Sequence, residues 1–280
     1  MNNGLLAIIG GTGVSLRDTH SQLAHSQFSD VRDEVVETKW GRTQVSRATL
    51  DNREIIFLQR HAASSLDNNK AVGEAIPPHR VNYRANIAAL KKLGVTAIFA
   101  STAVGSLNIE YSSGTLLLLN DFFDATAGRA KTFFDDRAVH VDMTEAYCPR
   151  LRSLLQMTAH DLNIFLQERA TYLCTDGPRF ETPAEIRAYA SLADVVGMTG
   201  VPEVVLAREA NISYAGVSIV TNLAAGISSQ PLTQSEVLDA MRASLPQLMQ
   251  LFLAAARDYS DDENTASRRV TQEFGFPDVF

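Results

Sequence analysis

Glu181, Thr199 and Asn222 are a carboxylate, a hydroxyl and an amide, each standing just past an apolar run within the stretch 171–222. A carboxylate accepts from a polarised N–H, and a primary amide offers an acceptor and a donor side by side. In open α/β sheets ligands collect at the carboxyl ends of the strands, so this layout nominates the three as neighbours in one site. Upstream, Arg60 and His61 end the run 54–59 and supply a guanidinium and an imidazole. The same pair also reads as a surface salt-bridge partner and a satisfied core imidazole. Gly10, Gly11, Thr12 and Gly13 follow the apolar run 5–9, where turn amides and the Thr12 hydroxyl could hold an anion. Their spacing departs from the G-x-G-x-x-G dinucleotide fingerprint, and a purely structural turn stays open. A second small-residue segment, 101–106, follows the run 95–100 and reads as a loop that lets the backbone approach a ligand.

Those side chains need elements to carry them. Thr182, Pro183 and Glu185 form a capping box with proline at the first helical position, so Phe180 and Glu181 fall on the loop entering a helix. Gly197, Met198 and Thr199 precede Pro202 and Glu203, which sets Thr199 near another helix N-terminus, where amides favour an anion. The region 31–58 reads as short strands with a turn at Gly41 and Arg42. Residues 62–76 are small, polar and aperiodic, a mobile loop with the position of a lid. A helix over 80–93 stops at Gly94 after Lys91 and Lys92, and 149–162 is a further amphipathic helix. The segment 121–136 is aromatic enough to fold onto the sheet. Thr233 and Glu236 cap a long helix interrupted at Pro246; from about Asp261 the chain is charged and aperiodic, a tail or an arm toward a neighbouring subunit.

Composition bounds the function. With 280 residues, 45% apolar and 20% charged, the chain can bury a sizeable core. No apolar run approaches a membrane span, the N-terminus lacks the pattern of a signal peptide, and the two cysteines, Cys148 and Cys174, suit a reducing cytoplasm. A net charge of −7 argues against a nucleic-acid surface, so any phosphate affinity is local.

Read together, IIGGTG, RH, PPHRVNYRANIAAL, STAVGSL, GPRFET, DVVGMTGVPEVVLARE and TNLAAGIS resemble, in order and spacing, the trimeric purine nucleoside phosphorylase and methylthioadenosine phosphorylase family. The resemblance covers about residues 5–255. It implies an α/β fold, a single domain (1–260, with a tail at 261–280) around a central mixed, partly barrel-like β-sheet flanked by helices. It also implies phosphate as co-substrate, no metal, no organic cofactor, and a homotrimer or dimer of trimers. Carried over by position, the phosphate site maps to Thr12, Arg60, His61, Thr102, the Ala103 amide and Thr199. Met198 corresponds to the residue against the ribose, Phe180, Glu181 and Asn222 to those that grip the purine, and His140 to one reaching a neighbouring subunit's 5′ pocket. Asn222, Glu181 and His61 are then the catalytic candidates. Asn222 and Glu181 match a 6-oxopurine, whereas the methylthioadenosine branch carries aspartate and a small hydroxyl residue there; the PPHRVNYRAN and HVDMTEAYCP stretches resemble the methylthionucleoside side. The expectation is phosphorolysis of 6-oxopurine nucleosides, with methylthioinosine or methylthioadenosine as the alternative substrate. A hydrolytic nucleosidase, which would need a carboxylate to activate water, and a nucleotide-binding protein reading GGTG are the competing classes.

Overall fold

The spine of the sheet is β1 (Leu5–Gly10), a buried run that pairs in parallel with β4 (Arg53–Gln59) on one side and β5 (Val95–Ser106) on the other. The computed structural model describes residues 4–11, 27–61, 76–228 and 233–271. β2 (Phe28–Thr38) and β3 (Gly41–Leu50) extend the sheet beyond β4 as an antiparallel meander. The first turn of that meander is Lys39 and Trp40, and Gly41 already opens β3. β6 (Leu116–Asp124), β7 (Leu166–Cys174), β8 (Val195–Gly197) and β9 (Ser213–Leu223) complete a nine-stranded mixed sheet in the order β2-β3-β4-β1-β5-β8-β7-β6-β9. Because β9 also pairs with β5, the strands β5, β8, β7, β6 and β9 close on themselves, which is the barrel-like part of the sheet.

Strand alternation decides the layers. Along β1, Ala7 and Ile9 face one apolar cluster while Leu6 and Ile8 face the other. The first cluster is covered by α1 (Tyr83–Lys92) and α4 (Glu203–Glu209), through Ile87, Leu90 and Leu206. The second is covered by α2 (Pro149–Asp161) and α5 (Gln234–Asp258), through Leu155, Leu251 and Phe252. Each such buried side chain contributes roughly 1.5–3 kcal/mol, so the two layers hold the strand ends as one unit. No helix among the described residues is long and apolar enough to cross a membrane.

Three segments differ from the sequence reading. Residues 101–106 are not a loop: β5 runs on to Ser106, paired residue by residue with β9, because small and β-branched side chains suit a strand buried on both faces. α5 continues through Pro246 rather than breaking there, its C-terminal half packed into the core at Leu248, Met249, Leu251 and Phe252. Residues 261–271 dock on the chain itself: Arg268 meets Asp261 and the Asn211 carbonyl, and the Ser213 and Ser267 hydroxyls pair at 2.7 Å. The remainder of that segment lies outside the described residues.

Both capping boxes form as read. Thr182 Oγ1 accepts from Glu185 N at the head of α3 (Pro183–Tyr189), and Thr233 caps α5 in the same way. Thr182→Ala is expected to cost about 1 kcal/mol of stability, read as a lowered urea midpoint at unchanged slope.

Candidate active site

Arg60 leaves the end of β4 with its backbone N–H donating to the Gly10 carbonyl of β1 at 2.9 Å. Its guanidinium is wholly buried. Nε and Nη2 donate to the two carboxylate oxygens of Glu203 at 2.6 and 2.7 Å, and Nη1 donates to the Ser101 carbonyl at 2.8 Å. The Tyr214 hydroxyl donates to the same carboxylate at 2.8 Å. Burial alone disfavours the charged guanidinium, but the Glu203 charge and hydrogen bonds outweigh it and the net pKa is raised. Arg60 is therefore a permanent cation whose charge is already matched, a buried ion pair where the sequence suggested a surface one. Of its five N–H groups, one on Nη1 and one on Nη2 remain. A Cβ on Gly11 would lie 3.2 Å from Nη1, so the turn after β1 approaches the guanidinium where a side chain would crowd it.

Beside this cation the sheet has a gap. β5 pairs with β1 as far as Ala100 and with β8 only from Gly105, so 101–104 have no strand on that edge among the described residues. The Ser101 carbonyl, held by Arg60, points to the open edge. Backbone groups alternate sides along a strand, so the Ala103 N–H, two residues on, points there too. Thr102 sits between them with its hydroxyl 2.7 Å from Ser218 Oγ; when Ser218 is the donor of that pair, the Thr102 O–H is left to donate elsewhere. A permanent cation, free guanidinium N–H groups and an unpaired strand amide make a place for an oxyanion.

His61 follows Arg60. Its Nδ1 lies 2.7 Å from the Ile76 carbonyl while Ile76 N donates to the His61 carbonyl at 2.9 Å. A carbonyl only accepts, so Nδ1 carries the proton and Nε2 of the neutral ring is an acceptor. Burial, followed by the neighbouring Arg60 charge, lowers the imidazole pKa and favours that neutral ring.

The loops after β7 and β8 meet across Tyr172. Its hydroxyl accepts from Thr199 N at 3.1 Å and Gly200 N at 3.2 Å. These two amides are thus not available to an anion, contrary to the helix-terminus reading, and the first turn of α4 carries the Glu203 carboxylate instead. Thr199 contributes a side chain only. A Cβ at Gly197 would stand 2.5 Å from the Tyr172 hydroxyl, and one at Gly177, which has φ +64°, would fall on Met198 Sδ. The loop after β7 brings Glu181 back to Thr175, whose hydroxyl donates to its carboxylate at 2.6 Å; Phe180 beside it is 43% exposed, an open aromatic face. Asn222, at the end of β9, accepts from the Thr221 hydroxyl at 2.8 Å and donates to the Leu223 carbonyl at 2.9 Å, keeping one N–H and one lone pair free. Four residues beyond it, Gly226 (φ +80°) packs so tightly on Pro183 that a Cβ would lie 2.7 Å away, which seats the Asn222 strand end against the head of the Glu181 helix.

The structure therefore sets Arg60 beside the strand edge that carries Thr102 and Ala103, with His61 next to it in the chain; Met198 and Thr199 stand on the loop after β8, Phe180 and Glu181 on the loop entering α3, and Asn222 near the end of β9. No contact among the described residues ties His140 to this set; the backbone on its C-terminal side is held by Arg208 through the carbonyls of Asp142 and Glu145. Thr12 lies outside the described residues, as does most of the loop 62–76. Among the described residues no group of three or more His, Cys, Asp or Glu side chains gathers to hold a metal ion. Cys174 is buried and its thiol pushed up to about 11 by that burial, which leaves no thiolate nucleophile. Sequence reasoning missed Glu203, Tyr214, Tyr172, Thr175 and Arg129. Glu203 had a signal, an acidic residue just after Pro202, but that pattern marks any helix start.

The layering and the closed five-strand unit define an α/β protein of the nucleoside phosphorylase fold. The chain belongs to the phosphorylase superfamily, whose family model matches residues 6–257. It is 43% identical to the probable 6-oxopurine nucleoside phosphorylase of Dictyoglomus turgidum, over 96% of this chain and 97% of that one. It is 45% identical to the probable S-methyl-5′-thioinosine phosphorylase of Methanopyrus kandleri, over 79% and 83%. Among solved structures, the methylthioadenosine phosphorylase of Schistosoma mansoni in complex with adenine superposes with a TM-score of 0.84 at 29% identity, covering 96% of both chains.

Two outcomes follow from the buried pair and the imidazole. Glu203→Gln leaves the Arg60 cation uncompensated and is expected to cost about 3–5 kcal/mol, measured by chemical unfolding. His61 binds a proton less readily folded than unfolded, so its share of stability is complete above its ordinary value near 6.5 and is lost as pH falls below it. Unfolding free energies between pH 7.5 and 5 are expected to fall toward the acid side, with a shallower slope in His61→Asn.

Proposed function

We propose that the chain is a purine nucleoside phosphorylase, a pentosyltransferase that cleaves 6-oxopurine nucleosides reversibly to free base and ribose 1-phosphate. What supports the reading is 43% identity to a probable 6-oxopurine nucleoside phosphorylase, together with an unpaired edge of β5 beside the buried Arg60 cation. Phosphate enters as the hydrogen phosphate dianion, with its oxygens on the free Arg60 N–H groups, the Ala103 amide and the Thr102 and Thr199 side chains. Its P–OH donates to His61 Nε2, the acceptor that the Ile76 carbonyl leaves. Thr12 would complete the set.

A phosphate oxygen attacks C1′ as the C1′–N9 bond breaks through an oxocarbenium-like state, and the phosphate proton balances the one gained by the departing base. The departing base takes its proton at N7, whose N–H donates to Asn222 Oδ1 while Asn222 Nδ2 donates to O6, and Glu181 accepts from N1–H; stabilising charge that appears only in the transition state is the main catalytic device. Met198 lies against the ribose and Phe180 against the base. Phosphate is a co-substrate, and no metal or organic cofactor has a part. A 6-aminopurine lacks the N1 proton and presents a donor at C6, so both polar residues would be mispaired at roughly 1–3 kcal/mol each.

Methylthioinosine is the second reading, favoured by the 45% identity to a probable methylthioinosine phosphorylase. It keeps every base contact and changes only the 5′ pocket, to which His140 of a neighbouring subunit would contribute in a cytoplasmic homotrimer or dimer of trimers. An active monomer in light scattering would remove that shared pocket.

Base release from inosine, guanosine, methylthioinosine and adenosine, each with and without phosphate, tests the assignment. Release is expected to require phosphate, and equal rates without it would make the enzyme a hydrolase. Inosine-type substrates are expected to exceed adenosine by between about tenfold and several thousandfold in kcat/KM, and Asn222→Asp is expected to narrow that ratio.

A further inference from the structure

Arg129 lies in the long connection between β6 and α2, and the resemblance assigns it no part in the reaction. Its side chain is only 4% exposed, yet the connection itself is surface chain. Nε donates to Asp176 Oδ1 at 3.1 Å; Nη1 donates to the Val201 carbonyl at 2.6 Å and more weakly to the Tyr83 hydroxyl at 3.4 Å. Nη2 is shared among the carbonyls of Thr175, Asp176 and Met198 at 3.1, 3.0 and 2.9 Å. The plane of the group rests 5.4 Å from the centre of the Tyr83 ring.

The donors of the fork are thus spent within the protein, which disqualifies Arg129 as a ligand-binding cation. All its carbonyl acceptors belong to two segments. Thr175 and Asp176 begin the loop that carries Phe180 and Glu181, whereas Met198 and Val201 bracket Thr199. The guanidinium is the bolt between the base-side loop and the ribose- and phosphate-side loop. Thr175 extends its reach, because the residue whose carbonyl Arg129 holds is the one whose hydroxyl holds the Glu181 carboxylate at 2.6 Å. Tyr172 grips the same turn from the other side through the amides of Thr199 and Gly200, so the carbonyls and the amides of 198–201 are fixed by two different side chains.

We propose that Arg129 is a positioning residue for base recognition: it sets the spacing between the two loops and, through Thr175, aims the Glu181 carboxylate. This rests on the purine phosphorylase reading above. A lysine would keep the charge but lose the planar fork that spans both loops. Small misplacements of a reacting group cost up to about a hundredfold in rate.

The experiment compares Arg129→Lys, Thr175→Val and the double variant with the parent for kcat and KM on inosine and adenosine, alongside thermal unfolding. Expected are a loss of about tenfold to a hundredfold in kcat/KM for inosine in Arg129→Lys, a narrowed inosine-to-adenosine ratio in both single variants, and less than multiplicative loss in the double one. A folded Arg129→Lys enzyme with an unchanged ratio, altered only in melting temperature, would overturn the proposal and make Arg129 a scaffold residue. If Arg129→Lys does not fold, Asp176→Asn, which removes the charge facing Nε but keeps an acceptor, is read for the same ratio, and an unchanged value overturns it equally. A parent without phosphate-dependent base release would instead refute the phosphorylase reading and this inference with it.

Discussion

The bidentate contact between Arg60 and Glu203 joins residues 143 positions apart and leaves neither side chain any exposure. Through this pair the end of β4, the Gly10 carbonyl of β1, the Ser101 carbonyl of β5, the first turn of α4 and the Tyr214 hydroxyl of β9 are joined, each bonded to Arg60 or to Glu203. Removing two charges from water is expensive, and a pair of this kind is weak evidence of net stability. Its value here is geometric. Once both ions are buried, any arrangement that separates them strands a charge, so the five elements have one compatible register. The same matching keeps a cation at the sheet's edge without leaving an unpaired charge in the core.

Much of this was legible in the chain because it depends on local rules. Two capping boxes and the Gly94 stop need only neighbours in sequence, and these appear as read. Glu181 and Asn222 were nominated because ligands gather at strand ends. What escaped depends on distant partners. Residues 101–106 look like a loop until β9 is laid beside them. The Thr199 amides look free until Tyr172, far back on β7, reaches them. Glu203 reads as an ordinary first-turn acid, and only the third dimension couples it to Arg60. Arg129 sits in an aromatic segment whose sequence says nothing of the carbonyls it collects.

The two devices around the turn 198–201 divide the work by bond type. Tyr172 accepts from amides and Arg129 donates to carbonyls, so neither can substitute for the other, and the backbone there has little freedom to reorganise. A preorganised site loses less entropy when a substrate arrives. The glycines at 177, 197 and 226 act in the same way: each lets a neighbour, Met198, Tyr172 or Pro183, approach within a distance that a Cβ would forbid.

The open edge of β5 has one further consequence. Unpaired strand edges are the usual place where proteins recruit foreign strands and aggregate, and soluble proteins cover them with charge, proline or bulges. Here the open edge at 101–104 is largely buried and bounded by β1 on one side and β8 on the other, and Arg60 already occupies the Ser101 carbonyl. The window spans four residues, 101–104, shorter than a typical strand of about five or six. The barrel closure that shortens it thereby lets this protein keep a reactive backbone edge without the hazard of edge-to-edge association.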